Sequence, residues 1–390
     1  MASSSLSPPR PKGSQAMAPA PAAARAPNWS ALPIDIMHRV VGRLPTGNDR
    51  LHAGAVCRQW RAAVRRRRLR HGNGPVVYLA LVNGMMFSFP DAKPARARPA
   101  AGCAHYCGAC DDRLLFADKD YFCYRLTSPF TGRTTALPSL AYIPDDTMGP
   151  DISVRKLVVC PDGLIAAIIG REHFAKVALC TLEFFSWSLG ADDEWRWYED
   201  MVYYEGKLYA ITNSGQLLTF DVSYENTGEP KIRGVETVIG GRGHIGVGGM
   251  RYLVKSRSGG LLMVRRIMQH GKSTYAFQVY KADLRPSGSQ WERVIALGGD
   301  EALFVSRLSS RAVRTDREGL EGYRIFFLDD TVGMSFRSPE PMGQPLYHAG
   351  VYDMMTGNVT QLLPRMWRKD HDGTVPPTWL FPEDPDEDDE

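Results

Sequence analysis

The sequence predicts a small all-α module followed by a large all-β domain. Between residues 28 and 70, apolar residues recur every three or four positions, the spacing that places them on one face of a helix. From residue 76 onward, short runs rich in Val, Ile, Tyr and Phe alternate with turn-forming residues, which is typical of strands joined by turns. The 37 glycines and 27 prolines of the 390-residue chain also favour a β-rich architecture with many turns.

Both ends of the chain are predicted to be disordered. Residues 1–27 are rich in Pro, Ala and Ser and contain no Asp or Glu, so they offer little apolar surface for a core. A transit peptide is the alternative for this leader, although its many prolines oppose an amphipathic helix. Residues 383–390 are acidic apart from one proline, and repulsion between like charges predicts a disordered tail.

The module at residues 28–70 is predicted to contain three short helices. Pro33 stands where a first-turn proline is tolerated, and its fixed φ suits the start of a helix. Ile36, Val40 and Leu44 follow at i, i+4 and i+8, so they share one face of that helix. Such a stripe either forms the core of an ordinary three-helix appendage or stays exposed until a partner covers it.

The remaining chain is predicted to be a β-propeller. Residues 71–75 form a linker by composition, because Gly, Asn and Pro dominate them. In residues 76–382, units of turns and strands recur at roughly 40–50 residues, which is the sequence mark of a propeller. The hairpin at 204–221 and the unit at 260–294 show this pattern most clearly. A domain of roughly 300 residues would hold about six or seven blades.

The helical module resembles a known docking module. A Leu-Pro pair opens its first helix, a second Leu-Pro pair closes it, and a Val-Cys-Arg-Gln-Trp-Arg run follows at residues 56–61. This order resembles the F-box, which docks a protein onto the Skp-type adaptor of a cullin-RING ubiquitin ligase. The residues that fit an adaptor-binding stripe are Leu32, Pro33, Ile36, Val40, Leu44, Pro45, Leu51, Val56, Cys57 and Trp60. A tryptophan suits such a surface because it buries a large area with few rotamers to freeze.

Seven segments of the β domain carry a second resemblance. They are Ser128–Gly132, Cys160–Gly163, the hairpin Tyr204–Asp221, Tyr252–Ser256, Phe277–Asp283, Leu297–Val305 and Pro376–Leu380. Together they are similar to the plant F-box-associated propeller family known as domain of unknown function 295. The resemblance implies a kelch-like propeller. It also implies a substrate-recognition subunit of an SCF-type ligase, in which the F-box binds the adaptor, and through it the cullin, while the propeller binds a target protein of unknown identity.

The chain is predicted not to be an enzyme. No Ser-His-Asp order, P-loop or His-Glu-x-x-His motif is present. Asp300 and Glu301 are adjacent carboxylates, but their context predicts a solvated loop rather than an acid-base pair. Two other functions stay open, namely a ligase-independent propeller scaffold and a propeller that binds a small ligand or acts as an enzyme through its central channel.

Three cysteines are weak candidates for metal ligands. Cys103, Cys107 and Cys110 lie as close together as the ligands of a zinc site, and Cys123 would be the fourth. Because Cys123 stands alone in a strand-like run, ordinary buried thiols are the favoured interpretation, and no metal or other cofactor is expected. The seven cysteines are scattered, which indicates a reducing compartment rather than a disulfide framework.

Charge and hydropathy limit the expected partners. A net charge of +4 is too small to predict nucleic-acid binding. No apolar run reaches the roughly 18 residues that span a bilayer, so no membrane contact is expected. Arg65–Arg68 is a basic run that acts either as a nuclear import signal or as a solvated helix end. The expected location is therefore the nucleus, the cytoplasm or both.

Overall fold

The protein divides into two compact units, Met1–Arg70 and His71–Glu390, and each is described by itself. The computed structural model describes residues 32–43, 53, 56–63, 77–80, 85–89, 94–96, 105–118, 123–143, 152–171, 173–184, 186–190, 194–241, 249–269, 273–285, 288–315, 320–328, 330, 349–362 and 377–382. The predicted leader at 1–27, the predicted linker at 71–75, the basic run and the predicted tail lie outside these residues.

The first unit contains one complete described helix, α1 (Ile34–Arg43). It starts at Pro33, whose carbonyl oxygen accepts hydrogen bonds from the amides of Ile36 and Met37, both at 3.1 Å. A proline suits this position because the first amides of a helix have no partner within the helix. Residues 58–63 are also helical. The predicted module of three helices stays a prediction, because the structure describes only residues 32–43, 53 and 56–63 of it.

The second unit is a six-bladed β-propeller. Blade 1 contains β1 (Val77–Ala80), β2 (Met85–Phe89), β3 (Pro94–Arg96) and β25 (Thr378–Leu380). Blade 2 contains β4 (His105–Cys110), β5 (Arg113–Ala117), β6 (Tyr124–Thr127) and β7 (Thr134–Ala136). Blade 3 contains β8 (Ser153–Val159), β9 (Leu164–Gly170), β10 (Ala175–Thr181) and β11 (Ser188–Leu189). Blade 4 contains β12 (Tyr198–Tyr204), β13 (Lys207–Thr212), β14 (Leu217–Tyr224) and β15 (Pro230–Ile239). Blade 5 contains β16 (Gly249–Lys255), β17 (Leu261–Gln269), β18 (Ser273–Asp283) and β19 (Gln290–Val294). Blade 6 contains β20 (Glu301–Val305), β21 (Arg311–Arg314), β22 (Arg324–Phe327), β23 (Gly350–Asp353) and β24 (Val359–Gln361).

The ring is closed by the C-terminal strand of the domain. Strand β25 pairs antiparallel with β1, so blade 1 combines the two ends of the propeller sequence. Trp379 of β25 is completely buried, and its ring lies 5.0 Å from that of Phe304 in blade 6. The innermost strands β25, β4, β8, β12, β16 and β21 contact one another in this order. They surround the central channel.

The blades pack face to face, which explains why some strands are continuous apolar runs. All seven residues of β9 are buried. Ile165 and Ile169 join the core between blades 2 and 3, whereas Leu164 and Ile168 join the core between blades 3 and 4. Because successive side chains of a strand point to opposite faces, a strand buried on both sides needs apolar residues at every position.

Blade 6 departs from the pattern of the other five. It has five strands in the order β21-β20-β22-β23-β24, and β20 pairs parallel with β22. Strand β21 is thereby inserted at the inner edge, next to the channel. The short connection at residues 306–310, called loop 306–310 below, joins β20 to β21.

The structure confirms the predicted propeller and fixes its blade number at six, within the predicted range. The hairpin predicted at 204–221 is confirmed as β13 and β14. Among the described residues of this unit, helical structure is limited to a 3₁₀ turn at Leu140–Tyr142. None of the described helices is long and apolar enough to cross a membrane.

Candidate functional site

The first unit has a small apolar core. Met37 and Val41 of α1 pack with Trp60 and Ala63 of the second helical segment, and these four side chains are at most 5% exposed. Met37 and Val41 are one helical turn apart, which places them on the same face of α1. The buried residues of α1 therefore each follow a residue of the predicted stripe, Ile36 or Val40, by one position in the sequence.

The predicted adaptor-binding residues that the structure describes fall into three groups by burial. Trp60 belongs to the buried core. Ile36 is half-buried, and Leu32, Val40 and Cys57 are half-buried against that core. Pro33 and Val56 are exposed, Val56 at 62%. Leu44, Pro45 and Leu51 lie outside the described residues. The exposed members are the ones that can meet a partner without unfolding the unit.

Ile34 is an exposed apolar residue that the sequence prediction missed. It is the first residue of α1, follows the exposed Pro33, and is 42% exposed. An exposed apolar side chain beside an exposed proline indicates a contact surface more directly than a buried one does. The sequence feature that could have indicated Ile34 is its position directly after the Leu-Pro pair.

Two of the candidate metal ligands, Cys107 and Cys110, lie in β4 and pack in the core between blades 2 and 3. Cys107 is half-buried and its thiol donates to the carbonyl oxygen of His105 at 3.7 Å, whereas Cys110 is buried in the core between blades 2 and 3. Burial raises the pKa of the Cys110 thiol well above its ordinary value, which disfavours the thiolate that a metal requires. Cys103 lies outside the described residues. Within the described ranges, no three His, Cys, Asp or Glu residues are grouped to hold a metal ion.

Charged residues join the inner strands of blades 3, 4 and 5. Asp200 of β12 is completely buried, and its Oδ1 lies 2.6 Å from Nζ of Lys156 in β8. Its Oδ2 accepts a hydrogen bond from the amide of Leu253 in β16 at 2.8 Å. Burial raises the pKa of Asp200, while Lys156 and the amide hydrogen bonds oppose this rise. One carboxylate therefore ties three successive blades together.

Glu199 forms a second link at a β-bulge. The pairing of β12 with β13 shifts register between Tyr198 and Asp200, so Glu199 is the extra residue of the bulge. Its Oε2 lies 2.9 Å from Nη1 of Arg251 in β16, and both side chains are at most 10% exposed. Burial raises the pKa of Glu199 to about 7, although the charges of Arg251 and Arg307 lower it. This carboxyl group therefore titrates near neutral pH.

Two further buried carboxylates fasten blade 6. Glu301 is 4% exposed, and it accepts hydrogen bonds from Oγ of Ser256 at 3.0 Å and from the amide of Arg257 at 2.9 Å in blade 5. The prediction that this residue lies in a solvated loop was wrong, because β20 starts at Glu301 and packs against blade 5. Asp330 is also completely buried and accepts a hydrogen bond from the hydroxyl of Tyr252 at 2.7 Å.

Loop 306–310 contacts the inner strands of two other blades. Oγ of Ser306 lies 3.4 Å from Oγ1 of Thr378 in blade 1. Leu308 packs on Gly108 in blade 2 so closely that a Cβ at Gly108 would lie 3.1 Å from Leu308 Cδ1. The charge of Arg307 also acts on Glu199 in blade 4. The loop of blade 6 thus contacts the inner strands of blades 1 and 2, and its charge acts on blade 4.

Two family models match the chain. The KIB1-4 beta-propeller model matches residues 86–353, and the F-box domain model matches residues 29–72. These matches support the predicted F-box and the predicted propeller as parts of one chain. A comparison with curated proteins finds no match.

The solved structures that match the chain are remote in sequence. The calcium-binding protein regucalcin from Agrobacterium tumefaciens is 14% identical, with a TM-score of 0.35 over 56% of this chain and 71% of that one. The Cps50 (Swd1) propeller of Myceliophteria thermophila is 12% identical, with a TM-score of 0.35 over 73% of this chain and 81% of that one. An oligogalacturonate lyase in complex with manganese is 10% identical, with a TM-score of 0.37 over 77% of this chain and 82% of that one.

Proposed function

Because the chain belongs to the KIB1-4 beta-propeller family and also matches the F-box, we propose that it is the substrate-recognition subunit of an SCF-type ubiquitin ligase. In this role the F-box binds the Skp-type adaptor, the adaptor links the chain to a cullin, and the propeller holds a target protein. The plant origin and the kelch-like blade pattern implied by the sequence resemblance belong to the same proposal.

The presence of both modules in one chain carries the proposal. F-box domains generally bind Skp-type adaptors, and a closed propeller offers a rigid scaffold whose loops can recognise another protein. Holding a target beside the ubiquitin-charged enzyme raises the local concentration of its lysines. The subunit then needs no catalytic residue of its own.

The exposed apolar residues of the first unit fit the docking role. Pro33, Ile34 and Val56 offer apolar surface, whereas Trp60 stabilises the unit from inside. Exposed apolar residues at a docking surface gain free energy when the partner removes them from water, at roughly 25 cal/mol per Å². We therefore assign adaptor contact to the exposed residues and a supporting role to Trp60.

The ion pairs between the inner strands favour this function over a small-ligand binder or an enzyme. The buried carboxylates Asp200 and Glu199 are engaged by Lys156 and Arg251 of neighbouring blades. Charged groups that neutralise one another within a fold serve its architecture, whereas a binding site leaves groups for the ligand. Recognition is therefore assigned to the outer surface of the propeller.

Affinity purification of the intact chain from cells with an inhibited proteasome tests the proposal. We expect the adaptor and cullin to co-purify, together with ubiquitin-modified target proteins that accumulate because they are no longer degraded. A matched variant, Pro33→Ala with Ile34→Ala, should recover less adaptor while its propeller remains folded. Equal recovery of the adaptor by the intact chain and by this variant would refute the assignment of these residues.

A further inference from the structure

The outer edge of blade 5 is covered along only part of its length. Strand β18 spans Ser273–Asp283, but its outer neighbour β19 pairs only with Val279–Asp283. No described strand pairs with the outer side of Ser273–Gln278, called edge 273–278 below. In blade 4, by contrast, every residue of β14 has a partner in the outer strand β15. Among the described residues, the outward-pointing main-chain N–H and C=O groups of edge 273–278 are thus left for another extended chain.

The path of the chain after β19 explains why this edge stays uncovered. Ile295 and Ala296 form a bend directly after the last residue of β19, and Leu297 then enters the core between blades 5 and 6. A longer β19 would draw Leu297 out of this core and expose its apolar surface to water. Packing of the chain itself therefore keeps edge 273–278 open.

Two exposed apolar side chains mark this edge. Tyr275 lies within it and is 66% exposed, whereas Ile295 lies where β19 leaves it and is 86% exposed. The pairing of β17 with β18 shifts register after Ile267, which makes Tyr275 the extra residue of a β-bulge. Because a bulge hinders indiscriminate pairing of edge strands, an added strand has to suit this particular edge. Tyrosine is a favoured interface residue, since it offers a large area at a low entropic cost.

Two arginines give the same surface a positive charge. Arg265 of β17 lies opposite Gln278, and Arg293 of β19 lies opposite Tyr280. Gln278 and Tyr280 are two residues apart, so all four side chains are on the face of the blade that packs towards blade 4. Arg265 donates to Oε1 of Gln278 at 3.5 Å, and no described carboxylate forms an ion pair with either arginine. An acidic residue in an added strand would complement this charge.

We propose that edge 273–278 binds an extended segment of the target protein, which adds to blade 5 as a further strand. The segment carries apolar side chains for Tyr275 and Ile295 and an acidic side chain for the two arginines. Main-chain hydrogen bonds supply affinity in this mode of recognition, and the side chains supply specificity. The inference rests on the proposed function, because it names the surface with which the propeller holds its target.

A second copy of the chain suits this edge less well than a target segment does. A pair of copies related by two-fold symmetry presents the same residues from both sides. Arg265 and Arg293 of one copy would then face the same arginines of the other, and like charges opposite one another are destabilising. Charge therefore favours an acidic partner.

Peptide selection on the purified full-length chain tests the proposal. A library of random peptides displayed on phage is selected against the chain, and an enriched peptide is synthesised as the probe. We expect the probe to combine alternating apolar residues with an acidic residue and to slow hydrogen exchange of edge 273–278, while exchange of β13 in blade 4 stays the same. Edge amides that are already as protected as those of β17 in the free chain would overturn the proposal.

Two N-methylated forms of the probe separate strand addition from docking of side chains alone. In an added strand, every second amide donates to β18 and the others point away. Methylation of one alternate set should weaken binding about tenfold or more, whereas methylation of the other set should change it little. An equal effect of the two sets contradicts strand addition.

Charge exchange tests the acidic contact. Arg293→Glu should weaken binding of the probe about tenfold, and a probe with lysine in place of its acidic residue should restore it. Lys207→Glu makes the same change of charge at an exposed residue of β13 and should bind the probe as the unmodified chain does. Failure of the lysine probe to restore binding would refute the contact with Arg293.

Adaptor binding by the same chain separates this inference from the proposed function. A chain that binds the adaptor but enriches no peptide at edge 273–278 keeps the proposed function and loses the inference. A chain that binds the probe at this edge but binds no adaptor loses the ligase role and keeps the edge as a peptide site. A dimer of the unmodified chain that protects the edge, seen by sedimentation velocity, overturns the target segment as its occupant.

Discussion

Replacement of Trp379 by alanine should destabilise the propeller by about 4–6 kcal/mol. The side chain is completely buried where the C-terminal strand closes the ring, and its ring lies 5.0 Å from Phe304 and 5.6 Å from Phe89. Truncation of a buried tryptophan costs about 3–5 kcal/mol. Loss of the hydrogen bond from its Nε1 to the carbonyl oxygen of Val305, at 3.2 Å, adds about 1 kcal/mol.

Chemical denaturation followed by far-UV circular dichroism measures this loss. Trp379→Phe keeps most of the buried ring and should lose only about 1–2 kcal/mol, chiefly through the missing hydrogen bond. Ile295→Ala is the surface control, because Ile295 is 86% exposed and its truncation should change the free energy of unfolding by less than about 0.5 kcal/mol. A loss of less than about 1 kcal/mol in Trp379→Ala would show that the ring does not depend on closure by β25.

Three further results are expected. Glu199→Gln should make the free energy of unfolding depend less on pH, as urea titrations at several pH values would measure. Folding raises the pKa of Glu199 from 4.5 to about 7, so the stability that this group contributes is complete below pH 4.5 and is lost as the pH rises through 7. The loss amounts to roughly 3 kcal/mol. Gly170→Ala should lower the melting temperature, because the φ of Gly170 is +137° and the new Cβ would lie 2.9 Å from the Cα of Ala175. At Gly163 the new Cβ would meet no neighbouring atom, so Gly163→Ala should lower the melting temperature less. In the folded chain a thiol reagent should modify the exposed Cys123 before the buried Cys110, whose pKa is raised by burial; equal rates would contradict the placement of Cys110.

The propeller was predictable because its blades are local in sequence. Each hairpin, such as β13 and β14, joins strands that are neighbours in the chain, so turns and apolar runs show it directly. The closure of blade 1 by β25 was not predictable in this way, because its strands lie about 300 residues apart, and nothing in a local pattern records such pairing. The parallel pairing of β20 with β22 was also not predictable, because β21 lies between these two strands in the chain.

The charged links between blades were also beyond the sequence pattern. Glu199 and Asp200 are adjacent in a strand, and simple alternation would bury one and expose the other. The bulge at Glu199 breaks this alternation and leaves both side chains enclosed. Glu301 shows the same limit, because a turn-like context predicted solvent and the neighbouring blade supplied its hydrogen-bond donors instead.

In the F-box, the sequence identified some of the apolar residues but not their roles. Trp60 is a favoured interface anchor by residue type, yet it packs inside the unit with Met37 and Val41. A helical repeat gives the spacing of apolar residues, while the choice between core and surface depends on how the helices face one another. Ile34 and Val56 became the better docking candidates only when their exposure was known.

The most direct test is the affinity of the intact chain for a purified Skp-type adaptor, measured by isothermal titration calorimetry. We expect a one-to-one complex that Ile34→Asp combined with Val56→Asp weakens at least tenfold, which corresponds to about 1.4 kcal/mol. An aspartate suits the first turn of α1, so this variant should keep its fold. The control Ile295→Asp, on the propeller, should bind as the unmodified chain. No binding by the folded, unmodified chain would contradict the account, and so would equal affinity of the double variant.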